Sequence, residues 1–489
     1  MSRVRPDDFF SAHPPSRIIG VECEYNVQGT DVSMGDLLAE ETLNEFSTSG
    51  DESEFAWLWT DDKLQLPNGG NLHADVGHLE YNTPESRGPR EAATADLAGT
   101  LIVAELAEIC DHTHRGVYRR TGTDLNARVS YGGDHEEEDE TVPAHGSATS
   151  GYHENYLIPA CIAESLLDSP LLPSYLATRW WSFAGIVGRG GYELSQKAQG
   201  IGLSALDSDR NGRRTDESAK PMALVMGGHE DLDVNATREW SRVEVRYADA
   251  GQSRWSRLVS LAMTSAVLRL HEYRDILSID DKYLLEQPVQ AAHQISQDLP
   301  FKRVYETIGG SASAANIAEE LAQNILALGK EIDLPKDELW AAREVIRATE
   351  SLKRTHPQKA DYGDLIDRVD FAAKHHVMRN IKNIRPAGNS KQALAFDLQW
   401  DRIYPKGVAQ VWWQRQAYQQ QVISDEAIYR SVAKPPRYTR AAIRGRAVAD
   451  GVAQDADWTY VHFGEGKGIL LNNPYDSRLP ADYPEVTRA

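Results

Sequence analysis

Apolar and polar residues alternate along several short stretches of the first half of the chain. In Arg17–Val27, Ile19, Val21, Cys23 and Tyr25 alternate with Glu22, Glu24 and Asn26, the period of a strand buried on one face. Asn71–Tyr81 repeats the design, with Asn71, His73 and Asp75 on one side and Leu72, Ala74 and Val76 on the other. Gly77 interrupts that alternation, and a bulge there would bring Glu80 onto the face of Asp75. Thr149–Leu157, Gly191–Lys197 and Ser241–Tyr247 read as further strands, as do Trp458–Phe463 and Gly468–Asn472 near the end of the chain.

Helical spacing predicts helices over Met34–Phe46, Glu91–His112, Trp255–Tyr273, Ser313–Gly329, Lys336–Lys353 and Tyr362–Ile381. Strands early and helices late imply an α+β fold. The expected arrangement is a large domain over 1–415, with a curved antiparallel sheet packed on helices, and a small C-terminal domain over 416–489.

Net charge narrows the function. Lysine and arginine number 52 against 73 acidic residues, a formal charge of −21, and no basic footprint for nucleic acid is present. No apolar run is long enough to cross a bilayer, and Met1–Phe10 has no apolar core, so a cytoplasmic protein without a membrane partner is expected, as a monomer or weak dimer. The three cysteines show no metal or disulfide spacing, and Cys23 falls on a core-facing position. The acidic run at 134–140 reads as a solvated loop.

The polar faces of the strands carry carboxylates instead of the Lys, Thr and Ser of an ordinary wet face. Glu22 and Glu24, then His73, Asp75 and Glu80, then Glu193 with Lys197, then Arg242, Glu244 and Arg246 follow one pattern, and His153-Glu154-Asn155 adds to it. Crowded carboxylates need a cation or protons. Hard oxygen donors suit Mg²⁺ bridging phosphates, and a neighbouring arginine suits a transferring phosphoryl group. No Walker A loop, kinase glycine loop or nucleophile elbow is present; Gly185–Gly191 is glycine-rich but matches neither phosphate loop. A Mg·nucleotide site on an antiparallel sheet is the reading these residues support.

Ile19-Gly-Val-Glu-Cys-Glu-Tyr25, Asn68-Gly69, Asp75-Val-Gly-His-Leu-Glu-Tyr81, His153-Glu-Asn-Tyr-Leu157 and Leu194-Ser-Gln196 resemble the Pup ligase and depupylase family, relatives of glutamine synthetase. The resemblance continues through Ile308–Ala314, Asp397-Leu-Gln-Trp-Asp401, Pro435–Arg440 with Arg444-Gly445, and Asp457-Trp458. It implies an enzyme whose sheet binds Mg·ATP and whose small C-terminal domain closes the site. Ligases of this family phosphorylate the terminal glutamate of Pup and join it to a lysine; depupylases cut that bond or deamidate Pup.

Carried over by position, the resemblance implies Asp75 as catalytic base or nucleophile and Arg242 as the arginine on the phosphates. Glu22, Glu24, His73 and Glu80 are implied as metal ligands, and Asn71, Thr83, His153, Asn155 and Trp458 as nucleotide-binding residues. Asn71 replaces an ATP-contacting arginine, His73 a tyrosine, and Ser241–Glu244 an Arg-Arg-Leu-His segment, while 227–233 is eroded. The short interval from Tyr25 to Asn68 is ligase-like. Together with the −21 charge, which suits an acidic Pup poorly, these departures imply an ATP- and Mg²⁺-dependent phosphoryl-transfer enzyme with an altered acceptor site. That site would take a small-molecule or Pup-like carboxylate or phosphate. A genuine Pup ligase, a depupylase or deamidase, and an inactive Pup-binding scaffold are the alternatives.

Overall fold

The structure is a computed structural model and describes residues 16–28, 57–60, 63–75, 78–109, 116–122, 150–188, 191–207, 222–227, 240–356, 359, 361–381, 384 and 391–476. The helix expected over 34–46, the acidic run at 134–140, Gly77 and the eroded segment beyond Gly227 lie outside these residues.

The first strands in chain order are β1 (Ile18–Gln28), β2 (Leu58–Thr60), β3 (Lys63–Gln65), β4 (Asn71–Asp75), β5 (His78–Asn82), β6 (Ser86–Arg87), β7 (Gly116–Tyr118) and β8 (Tyr152–Pro159). β9 (Ile186–Gly188), β10 (Gly191–Glu193), β11 (Ile201–Asp207), β12 (Met222–Gly227) and β13 (Trp240–Val245) follow. The large sheet runs β11-β12-β13-β8-β1-β5-β4-β3-β2, with β1 near its middle. Only β11 and β12 in that order are parallel; the other neighbours are antiparallel, as expected for an α+β chain of this pattern.

The alternation read in β1 sets the layers. Ile19, Val21, Cys23 and Tyr25 are buried in one hydrophobic core with Leu72, Leu79, Tyr81, Tyr156 and Val243. Burial pushes the Cys23 thiol up to about 12, the behaviour of a structural cysteine. Helices Pro89–Ile109 and Arg254–Glu272 supply the other side of that core, the second buried along nearly its whole length. Its first turn is closed by Ser253, whose hydroxyl accepts the Ser256 N–H at 3.2 Å. Among the described residues no helix is long and apolar enough to cross a membrane.

Three elements differ from expectation. Asn71–Tyr81 is not one bulged strand but a hairpin, β4 against β5, with Asp75 opposite His78 and His73 opposite Glu80. Opposed residues of an antiparallel pair share a face, so Glu80 joins His73 and Asp75 by folding back and not by a phase shift. The strand expected over Gly191–Lys197 stops at Glu193 and pairs with β9, outside the large sheet. The chain turns there because the Ser195 hydroxyl and Gln196 N–H both donate to buried Asp249, at 3.1 and 2.9 Å. The helix expected from Tyr362 is split: a short 3₁₀ turn covers Gly363–Asp367 and the α-helix begins at Asp370. Asp370 instead accepts the Gln252 and Ser253 N–H groups at 3.0 and 2.9 Å.

A second, smaller core gathers Ile443, Ala447, Val448, Ala456, Val461, Phe463 and Leu471. It joins helix Ala441–Ala449 to a three-stranded sheet of Asp455–Asp457, Tyr460–Gly464 and Lys467–Leu470. Val422, Ile428 and Val432 pack in the large core.

Candidate active site

Register carries the polar side chains to one face. Glu22 on β1 lies opposite Asn82 on β5 and His153 on β8, and Glu24 lies opposite Glu80. Asn155 pairs with Glu244 on β13, and Arg242 sits two residues before Glu244 on the same side. Five strands, β13, β8, β1, β5 and β4, therefore contribute to one open surface above the core.

Two groups of potential ligands form there. Glu24, Asp75 and Glu80 bring carboxylate oxygens within 4.8 Å of one another. Glu22, His153 and Glu244 do the same with two carboxylates and an imidazole. In the first group Glu24 accepts the Gly151 N–H at 2.5 Å and lies 3.4 Å from His78. Burial, then the charges of Glu22, Glu24 and Asp75, raise Glu80 well above the ordinary carboxylate range. Only a hydrogen bond from Asn82 acts the other way among its main influences.

In the second group Glu22 is 3.1 Å from His153 Nδ1 and accepts hydrogen bonds from Asn155 at 3.0 Å and Arg242 at 3.4 Å. Arg246 is paired with Glu244. Hard oxygen ligands at this density match a magnesium-type site, which takes a few carboxylates and completes its shell with water and phosphate oxygens.

Beside the second group opens a cleft of about 150 Å³ lined by Glu22, Thr83, Asn155, Leu157, Arg242 and Trp458, among others. Thr83 is fixed at its edge by exchange with β1, its hydroxyl accepting the Val21 N–H at 2.9 Å. Trp458 enters from the small module, in the turn between Asp457 and Tyr460. Beneath it Glu85 is clamped by Arg440 and Arg444, at 2.5 and 2.6 Å. Burial alone would raise the Glu85 carboxyl, but the two guanidinium groups bring it below its usual range.

The expected site residues thus distribute unevenly. Glu22, Glu24, Asp75, Glu80 and His153 fall in the ligand groups, and Thr83, Asn155, Arg242 and Trp458 in the cleft wall. His73 stands outside both groups of three, 3.9 Å from Glu80 and hydrogen-bonded to Asn82 at 3.3 Å. Asn71 is buried and accepts from Asn82 at 3.2 Å, away from the cleft wall. Glu193 and Lys197 lie on a segment that leaves the sheet, yet the buried Lys197 ammonium, brought down to about 8 by burial, still feels the charges of Glu24, Arg246 and Glu244 on this face.

Glu244 was treated in the sequence as a departure from a family motif, yet its position two residues after Arg242 already placed it on the ligand face. Asn82, two after Glu80, carried the same signal. Glu85, Arg440 and Arg444 carry none in local periodicity.

Comparison with known proteins identifies the family. The family described as Pup-ligase protein matches residues 17–462. The chain is 27% identical over 496 residues to a Pup–protein ligase of Bifidobacterium longum (strain NCC 2705), covering 97% of this chain and 94% of that one. It is 25% identical over 477 residues to the Pup–protein ligase of Acidimicrobium ferrooxidans, covering 94% and 96%.

Among solved structures, the complex between prokaryotic ubiquitin-like protein Pup and its ligase PafA is similar with a TM-score of 0.75 at 18% identity, covering 96% of this chain and 91% of that one. PafA in complex with ADP gives a TM-score of 0.69 at 17% identity, covering 90% and 91%. These structural likenesses establish a shared fold. With nearly the whole chain matched by the family, the chain belongs to the Pup-ligase protein family.

Proposed function

We propose that this chain is an ATP-dependent ligase that activates the terminal glutamate carboxylate of a Pup-type protein and joins it to a lysine amine. The observation that carries the reading is a cleft lined by Glu22 of one carboxylate-rich ligand group together with Arg242 and Trp458, with the second such group on the same sheet face. ATP would lie with its base toward Trp458 and Thr83 and its phosphates toward Glu22 and Arg242. Relatives matched over nearly their whole length and named Pup–protein ligases, and the ADP complex of a protein of this fold, support it.

The donor set fits Mg²⁺: burial and the charges of Glu22, Glu24 and Asp75 push the Glu80 carboxyl well above its usual range, a repulsion that a bound cation would relieve. Glu22, Glu24, Glu80 and His153 would hold the metal, which would neutralise phosphate oxygens. His73, beside Glu80, would orient that carboxylate. Asn71 acts by holding Asn82 and not by touching nucleotide.

Arg242 stabilises charge on the phosphoryl group as it passes from ATP to the glutamate carboxylate, leaving ADP and an acyl phosphate. Asp75 then takes a proton from the lysine ammonium, the freed amine attacks the acyl carbon, and phosphate leaves as the isopeptide bond forms. The two hydrophobic cores support a division into a large module and a small C-terminal one joined near residues 434–439, later than a boundary at 415.

The test is conjugation. With ATP, Mg²⁺, a Pup-type protein ending in glutamate and a lysine-bearing acceptor, mass spectrometry should detect the two proteins joined with loss of one water. ATP turnover without conjugate would contradict Pup ligation and favour an altered acceptor, a reading carried by the departures at Asn71, His73, 227–233 and 241–244 and by the acidic composition.

A further inference from the structure

Trp458 belongs to the small module, while Thr83, Glu22 and Asn155 on the facing cleft wall belong to the large one. Something must hold the ring in register across that joint. Arg444, buried to 1% exposure, is placed to do so. Its guanidinium carbon lies 4.6 Å from the Trp458 ring centroid, and Nη1 donates to the Trp458 carbonyl at 3.3 Å. The remaining donors cross to the large module: Nε and Nη2 reach the Gly69 carbonyl at 3.0 and 2.5 Å, and Nη2 reaches Glu85 at 2.6 Å.

The helix that carries Arg444 sits hard against the turn before β4. A Cβ on Gly445 would fall 2.5 Å from the Pro67 carbonyl oxygen and 2.7 Å from the Gly69 nitrogen, so only glycine allows this approach. Gly69 itself has φ +82°. This turn leads directly into β4, which carries His73 and Asp75, and Glu85 follows β5, which carries Glu80.

We infer that Arg444 is a positioning residue for nucleotide binding, holding Trp458 in the cleft and tying its placement to the Gly69 turn and Glu85. The inference rests on the nucleotide reading above. Arg444 does not line the cleft, so it acts through the ring. A lysine cannot replace it, because stacking and forked donation both need a planar guanidinium.

Isothermal titration of Mg·ADP into the full-length wild type, Trp458→Ala, Arg444→Lys and the double variant tests this. Each single variant should weaken ADP binding about tenfold, and the double variant should bind no more weakly than Trp458→Ala, since both act through one contact. Arg444→Lys with a lowered melting temperature but wild-type ADP affinity, or losses that add in the double variant, would make Arg444 merely structural and overturn the inference. Absence of ADP binding by the wild type would instead overturn the nucleotide reading.

A measurement on the wild type alone stands beside it, should Arg444→Lys not fold. Mg·ADP should slow amide hydrogen exchange in helix Ala441–Ala449 and the 66–70 turn together with the Trp458 segment. Protection confined to residues lining the cleft would contradict the coupling.

Discussion

The two faces of the central sheet use the same residue types in opposite ways. On the core side, Asp96 receives two hydrogen bonds from Arg119 at 2.8 Å, one from the Tyr152 hydroxyl at 3.0 Å, and an ion pair from Arg257. Burial would raise its carboxyl, yet the two arginines hold it below the ordinary range. Glu154, between His153 and Asn155 on β8 but pointing the other way, is matched by Arg179 at 2.9 Å. Deeper, Arg120 and Lys374 share Asp397 and Asp401; they hold Asp397 down while burial keeps Asp401 up at about 6. On the open side, burial and then the charges of other carboxylates drive Glu80 up, with no guanidinium among its main influences. An acid given its own guanidinium is structural; an acid left among acids is prepared for a cation that arrives from outside.

Substitutions can break this contrast in sequence of size. Asp75→Asn should lower conjugation and ATP turnover by about 10²–10⁴-fold, the range of a lost general base, while leaving the urea midpoint unchanged. Equal losses of stability and activity would place Asp75 among the structural acids. Asp96→Asn should do the reverse, removing about 3–5 kcal/mol of stability by stranding two buried arginines, as read in urea unfolding. Because its carboxyl is depressed in the folded state, the Asp96 contribution is present above the ordinary value of 3.8 and is lost as pH falls through the lower folded value.

Glu80→Gln should have a smaller effect on stability, and of opposite sign. A raised folded value means that Glu80 contributes most below the ordinary 4.5 and loses that contribution as pH climbs through the raised value. Metal-free wild type should therefore lose stability relative to Glu80→Gln as pH rises from 4.5 through the raised folded value, with Mg²⁺ reversing the loss in wild type only. Parallel pH curves for the two proteins would remove the like-charge account of this face. Smallest of all, Arg430→Ala breaks a pair whose members are 62% and 81% exposed, and should shift stability by no more than about 0.5 kcal/mol. A larger loss there would mean that burial is not what separates strong pairs from weak ones.

Much of this contrast was legible in the chain itself. Strict alternation in β1 assigned Cys23 to the core and Glu22 and Glu24 to the open face before any pairing was known. The amphipathic spacing of Trp255–Tyr273 marked a core helix that the structure places at Arg254–Glu272. The β4–β5 hairpin was not legible, because a lone glycine in an alternating run serves a bulge as readily as a turn.

Glu154 shows a different limit. Its charge groups it with His153 and Asn155 in one polar cluster, whereas in β8 it alternates into the core, onto an arginine 25 residues away that makes it tolerable. The Glu85–Arg444 contact spans 359 residues, and no periodicity encodes a contact of that kind. Short-range pattern therefore revealed the two faces of β1 and β4, and the partners came only with the fold.

The central claim is that Glu22, Glu24, Glu80 and His153 hold divalent metal, with Asp75 beside them as the proton acceptor, under a nucleotide whose adenine meets Trp458. Anomalous diffraction from crystals of the full-length protein grown with Mn²⁺ and ADP tests it most directly. The account predicts anomalous peaks within coordination distance of Glu22 or of the Glu24–Asp75–Glu80 group, with the adenine against Trp458. Manganese bound elsewhere, or ADP bound away from this sheet face, would contradict it.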